Sequence, residues 1–137
     1  MNPDKNASLV ADQAEALLRD LADWGTTTTV VQHGGCVFEF KGPFPPGAPG
    51  MGYYNLEGEL PGFHGHIRLD AIACIGFQEK QHRGRDSYAF VFQGVQGEVL
   101  FKVFLGRSSD GSVHPEQIER FHAIRDSLSV DAGTKRN

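Results

Sequence analysis

The feature that most constrains the fold is a succession of short strand-like segments between Thr26 and Gly106, joined by connections of at most a dozen residues, the longest of them too rich in Pro and Gly for a crossover helix. "TTTTVVQ", "CVFEF", "YYNLEG", "HGHIRL", "AIACIGFQ", "SYAFVFQ" and "EVLFKVFLG" are rich in β-branched and aromatic residues, and Gly, Asp and charged residues separate them. Parallel neighbours need a connection of about a dozen or more residues. These segments must therefore pair antiparallel, as a meander or a partly closed barrel of about seven or more strands. "HGG" supplies glycine for a hairpin turn between the first two. "KGPFPPGAPG", Lys41 to Gly50, holds four prolines and three glycines and reads as a loop without ladder hydrogen bonds.

A helix is expected at each end of this β region. In "SLVADQAEALLRDLADWG", Leu9, Ala14, Leu17, Leu18, Leu21 and Trp24 recur at three- and four-residue spacing, with Ser8 as the cap and Gly25 as the stop. In the second helix Pro115 suits the first turn, and Ile118, Phe121, Ile124 and Leu128 form one stripe. "SVDAGTKRN" then reads as a frayed tail. The prediction is an α+β fold with an N-terminal and a C-terminal helix. Its 137 residues form a single domain, 1–137, with an ordered core of about 8–128.

Composition narrows the function classes. Net charge is −4 with histidines neutral, and Lys and Arg form no basic run, which argues against nucleic acid and against an anionic membrane surface. "MNPDKNASLV" has no long apolar h-region, and no segment approaches a membrane span of about 18 apolar residues, so a cytoplasmic location is expected. Cys36 and Cys74 lie in apolar runs without CxxC or CxxH spacing and read as buried, reduced thiols.

The candidate chemistry lies in "GFHGHIRLD", Gly62 to Asp70. Strand alternation places His64, His66 and Arg68 on one face and Phe63, Ile67 and Leu69 on the other. A zinc site lacks a third ligand at familiar spacing, and neither a nucleophile elbow nor a phosphate-cradling loop is present. Two imidazoles and a guanidinium suit a flat, largely apolar ligand with an iron centre and anionic edges, which describes haem. "GYYNL" adds Tyr53 and Tyr54 on opposite strand faces, and a tyrosinate is a hard ligand suited to ferric iron. Two plainer readings stay open: a tyrosine packed in the core, and a histidine row that is only a solvated strand face. His33, His82, His114 and His122 complete the histidines.

"WGTTTTVVQHGGCVFEFKGPFPPG", "GYYNLEG", "GHIRLDAIACIGF", "GEVLFKVFLGR" and "PEQIERFHAI", in order from Trp24 to Ile124, together resemble the HutX/ChuX family of cytosolic haem-utilisation carrier proteins. The resemblance implies an antiparallel sheet with flanking helices, a homodimer, and a likeness to one half of the larger haem-degrading proteins. It also implies a role: accepting haem after import, keeping it soluble and passing it to a degrading enzyme or to storage, with no bond chemistry by the protein. By the same resemblance His66 is first choice at the haem iron and Tyr53 is the candidate phenolate, although Met51 stands where relatives carry a histidine. A further family histidine aligns with Gln32, and His33 follows one place later, a shift that reverses the strand face. Either a bulge at Gly34 and Gly35 restores the geometry or that ligand is missing. His64, absent from those relatives, is the candidate replacement, and Arg68 a propionate contact. The rival readings are a ring-opening haem enzyme, and a domain of this fold that binds another ligand or a partner protein.

Overall fold

The computed structural model describes residues 8–58 and 62–136. In chain order the elements are β1 (Ser8–Val10), α1 (Ala14–Leu21), β2 (Thr26–His33), β3 (Cys36–Pro43), β4 (Gly47–Gly50), β5 (Tyr53–Glu57), β6 (His64–Ile67), β7 (Cys74–His82), β8 (Arg85–Gln93), β9 (Val99–Leu105) and α2 (Pro115–Arg136). All the strand pairs are antiparallel, as the short connections require.

They form two sheets. The larger runs β1-β7-β8-β9-β2-β3 and the smaller β4-β5-β6. The larger sheet is not a simple meander, and it does not close into a barrel: β2 pairs with β9 on one side and with β3 on the other, and β1 and β3 remain edges. Gly106 permits the β2–β9 closure. A Cβ there would stand 2.0 Å from the Thr26 carbonyl oxygen, so only glycine lets the two backbones approach.

One face of the larger sheet carries the core. Phe121 of α2 lies edge-on or tilted against Phe77, Tyr88 and Phe90, at centroid distances of 5.0–5.6 Å. Trp24 meets Phe90 from the end of α1, and Leu17, Leu18 and Leu21 of α1 are buried. Gln117 ties these layers together. Its Nε2 donates to the carbonyls of Trp24 and Thr26, and its Oε1 accepts from Gly106 N–H at 2.7 Å, so a buried amide satisfies three backbone groups that the sheet leaves over. On the opposite face Thr28 and Val30 of β2 and Lys102 and Phe104 of β9 are half-buried, with a hollow of about 470 Å³ beside them.

Four local expectations change. Ser8 does not cap a helix: Ser8–Val10 pairs with Cys74–Gly76 of β7, because the edge of β7 offers unpaired backbone groups and Val10 is β-branched. A 3-10 turn over Ala11–Gln13 follows, with the Gln13 side chain accepting from Val10 N–H, and α1 is only eight residues long. The proline-rich loop is largely strand. β3 continues to Pro43 and β4 pairs with β5, since an edge strand needs ladder bonds on one side only and so tolerates Pro49. Neither cysteine is fully buried: Cys36 is exposed at the hairpin tip, and half-buried Cys74 donates its thiol to Gln93. The segment read as a frayed tail from Ser129 is helical as far as Arg136, while the N-terminal tail, residues 1–7, lies outside the described residues.

Candidate functional site

The small sheet sorts the aromatic and histidine residues by alternation. Glu57 pairs with His64, Asn55 with His66 and Tyr54 with Ile67. Tyr54 and Leu56 are buried on the inner face together with half-buried Ile67. Tyr53, Asn55 and Glu57 share the outer face with His64 and His66. There the Tyr53 and His66 rings meet edge-on at 5.9 Å, and His66 Nδ1 lies 2.7 Å from Asn55 Oδ1.

The two tyrosines therefore have different chemistry. Tyr54 is inaccessible to solvent, and burial pushes its phenol above the ordinary value despite the opposing pull of Arg19. It is a core residue. Tyr53 is 38 % exposed and stands beside an imidazole.

Next to β6, the edge of the small sheet, the core face of the larger sheet is left partly uncovered. The resulting cleft of about 320 Å³ is lined by Thr29 and Val31 of β2, Phe40 of β3, Phe44, Leu56, Phe63, His64 to Ile67, Leu100 and Phe101. Phe63 stacks on Phe40 at 4.9 Å and meets Phe44 edge-on at 5.8 Å, which makes an aromatic wall. Simple alternation would send Leu100 and Phe101 to opposite faces. The ladder slips between Phe92, which faces Phe101, and Gln93, which faces Val99, and the extra residue Leu100 also lines the cleft.

His64 and His66 thus line an apolar cleft while remaining exposed. Arg68 does not extend the strand. It lies just beyond β6, still extended, as the residue that precedes a 3-10 turn over Leu69–Ala71, and its Nε approaches Asp70 Oδ1 at 3.3 Å.

His33 is at the end of β2, paired with Cys36. No bulge intervenes: Gly34 and Gly35, with φ of 56° and 84°, are themselves the two-residue turn, and pairing is continuous from Thr26–Pro43 to His33–Cys36. Alternation therefore puts His33, and not Gln32, on the face of Thr29 and Val31. It is exposed and lies outside the cleft lining. The same face of β3 carries Phe38, paired with Val31 and 53 % exposed, so an apolar ramp leads from the cleft towards His33.

His122 packs against Tyr88 and faces Glu79, and His114 lies 3.4 Å from the Ser108 hydroxyl. Among the described residues no group of three or more His, Cys, Asp or Glu could hold a metal ion, and no helix is long and apolar enough to cross a membrane. Sequence reasoning missed Asn55 and the wall of Phe40, Phe44 and Phe63. Asn55 lies inside "YYNLE", but its partner is visible only once β5 and β6 pair in register.

A helix-backed antiparallel sheet with a second, smaller sheet standing against it places the chain among α+β proteins that also include larger haem proteins. The haem-degrading enzyme ChuS of Escherichia coli O157:H7 superposes with a TM-score of 0.71 at 18% identity, covering 87% of this chain and 36% of that one, a likeness of fold to part of a larger molecule. The structure of the heme-binding protein ChuX superposes with a TM-score of 0.82 at 29% identity, covering 90% of this chain and 77% of that one. The intracellular heme transport protein HutX of Vibrio cholerae is 39% identical over 124 residues, 90% of this chain, and the chain spans 64% of the length of that relative. The haem utilisation ChuX/HutX family model matches residues 7–124, and the chain belongs to that family.

Proposed function

We propose that this protein is a cytoplasmic haem carrier that binds haem for bacterial iron acquisition and releases it to a degrading enzyme or to storage. The observation that carries the reading is the apolar cleft with an aromatic wall and with His64 and His66 on its margin, in a chain of the haem-utilisation family. The porphyrin seats one edge against Phe63 and Phe40, and the Val31–Phe38 ramp supports more of the ring. Its carriage needs binding and no bond-making residue. The names of the intracellular HutX relative and the heme-binding ChuX support both location and role.

His66 and Tyr53 are the candidate iron ligands. Their rings are neighbours on one sheet face, so they serve as alternatives on one side of the iron and not as a pair across it. His64, or His33 at the end of the ramp, is the candidate auxiliary ligand. Arg68 meets a propionate by exchanging its contact with Asp70. A homodimer formed through the uncovered face of the larger sheet, around Val30 and Phe104, accounts for apolar groups that none of the described residues covers fully.

Hemin titration tests the proposal. The expected result is a saturable Soret shift that His66→Ala or Tyr53→Phe moves in position or affinity. No saturable binding at micromolar hemin would overturn the carrier reading, and unchanged spectra in both variants would overturn the ligand assignment. Ascorbate added in air with catalase present should leave the Soret band in place, whereas its loss with a biliverdin-like product would identify a ring-opening enzyme.

A further inference from the structure

The outer face of the small sheet contains a second residue that bears on the ligand atom. Asn55 Nδ2 donates to the Gly50 carbonyl at 3.1 Å and to the Ala48 carbonyl at 3.4 Å. Both partners are backbone oxygens of β4, with no proton to offer. Turning the amide over would set Oδ1 against two carbonyl oxygens, so the nitrogen must face β4 and the oxygen must face His66. Oδ1 is a pure acceptor. The 2.7 Å contact therefore requires the proton on His66 Nδ1.

A neutral imidazole carries one N–H, and fixing it on Nδ1 leaves Nε2 with its lone pair exposed. Among the described residues nothing else hydrogen-bonds to His66. We propose that Asn55 is a positioning residue that holds His66 as the Nδ1–H tautomer, so that Nε2 is the nitrogen presented to an iron porphyrin. The inference rests on the haem-carrier reading for its ligand but not for the tautomer, which is a property of the empty protein. Asn55 never touches the iron. It acts by orienting the ring and by making the imidazole more electron-rich through its accepted hydrogen bond.

Two further details belong to the same device. Asn55 is directly opposite His66 in the β5–β6 ladder, so strand register holds the pair together without any flexible connection. Behind it, a Cβ at Gly50 would stand 3.2 Å from Asn55 Nδ2, so a larger residue in β4 would press on the amide from its donor side.

Nitrogen-15 correlation spectra of the haem-free protein at about pH 8.5, above the ordinary imidazole range, read the tautomer directly. The expected result is a pyrrole-type Nδ1 and a pyridine-type Nε2 for His66. Protonated Nε2 in the unmodified protein would overturn the proposal, whether or not hemin binds. Asn55→Ala should give a mixed tautomer with Nε2–H populated, and hemin affinity should fall roughly 10- to 100-fold. A single Nδ1–H tautomer that persists in Asn55→Ala would also overturn it. Failure of the unmodified protein to bind hemin would overturn the carrier reading while leaving the tautomer result standing.

Discussion

The helix-covered part of the larger sheet and the cleft beside the small sheet are built from similar residues and put them to different uses. In the first, Phe77, Phe90 and Phe121 are almost wholly removed from water and touch one another edge-on or tilted. In the second, Phe40 and Phe63 stack just as closely but stay half-buried, and the residues beside them are imidazoles in solvent. Aromatic content does not separate the regions. What separates them is the presence of a helix: α2 lies over the first, and no helix lines the second. Apolar surface left uncovered beside exposed lone-pair nitrogens costs stability and is available to a ligand.

Mutations that move stability and hemin affinity independently would sharpen that contrast, and one that moved both everywhere would break it. Phe121→Ala should have the largest effect, a loss of about 3–5 kcal/mol in denaturant unfolding, because it empties the contact shared by three other rings. A loss below about 1 kcal/mol would mean that α2 does not hold the core. Gln117→Leu should cost about 2–3 kcal/mol by stranding the Gly106 N–H and two carbonyls, measured the same way.

Phe63→Ala stands on the boundary. It should cost only about 1–2 kcal/mol, since the side chain is already half-exposed, while weakening hemin binding by titration. His66→Ala should leave unfolding within about 0.5 kcal/mol and act on the hemin spectrum alone. A large stability loss in this variant would show that the cleft margin is structural.

The smallest effect concerns pH. The folded pKa of Tyr54 is raised by burial, so its contribution is fully present below the unfolded value of 10.0 and is lost as pH rises through the folded value. Alkaline unfolding should therefore be shallower in Tyr54→Phe than in the unmodified protein, read by circular dichroism across that range.

Much of the site was legible locally, and the misses have local causes. His64 and His66 fall on one face because alternation is a property of the backbone, whereas Tyr53 joins them only through the β5–β6 register. Arg68 lies outside the β5–β6 ladder because the chain enters a 3-10 segment at Leu69, which alternation does not announce. The question about His33 was posed by sequence and answered by the turn. With two glycines at positive φ and no bulge, parity alone assigns the face. Ser8–Val10 misled because three residues can continue a helical stripe or complete a sheet edge, and only the availability of β7 decides between them.

Antiparallel pairing, the two terminal helices and the one-faced histidine pair followed from the sequence alone, since side-chain periodicity and connection length are local quantities. Which strands neighbour one another, where the larger sheet is left bare, that Leu100 joins the cleft and that Asn55 meets His66 were decided only in three dimensions. Each of these depends on contacts between segments far apart in the chain, and their free energy exists only when both partners are in place.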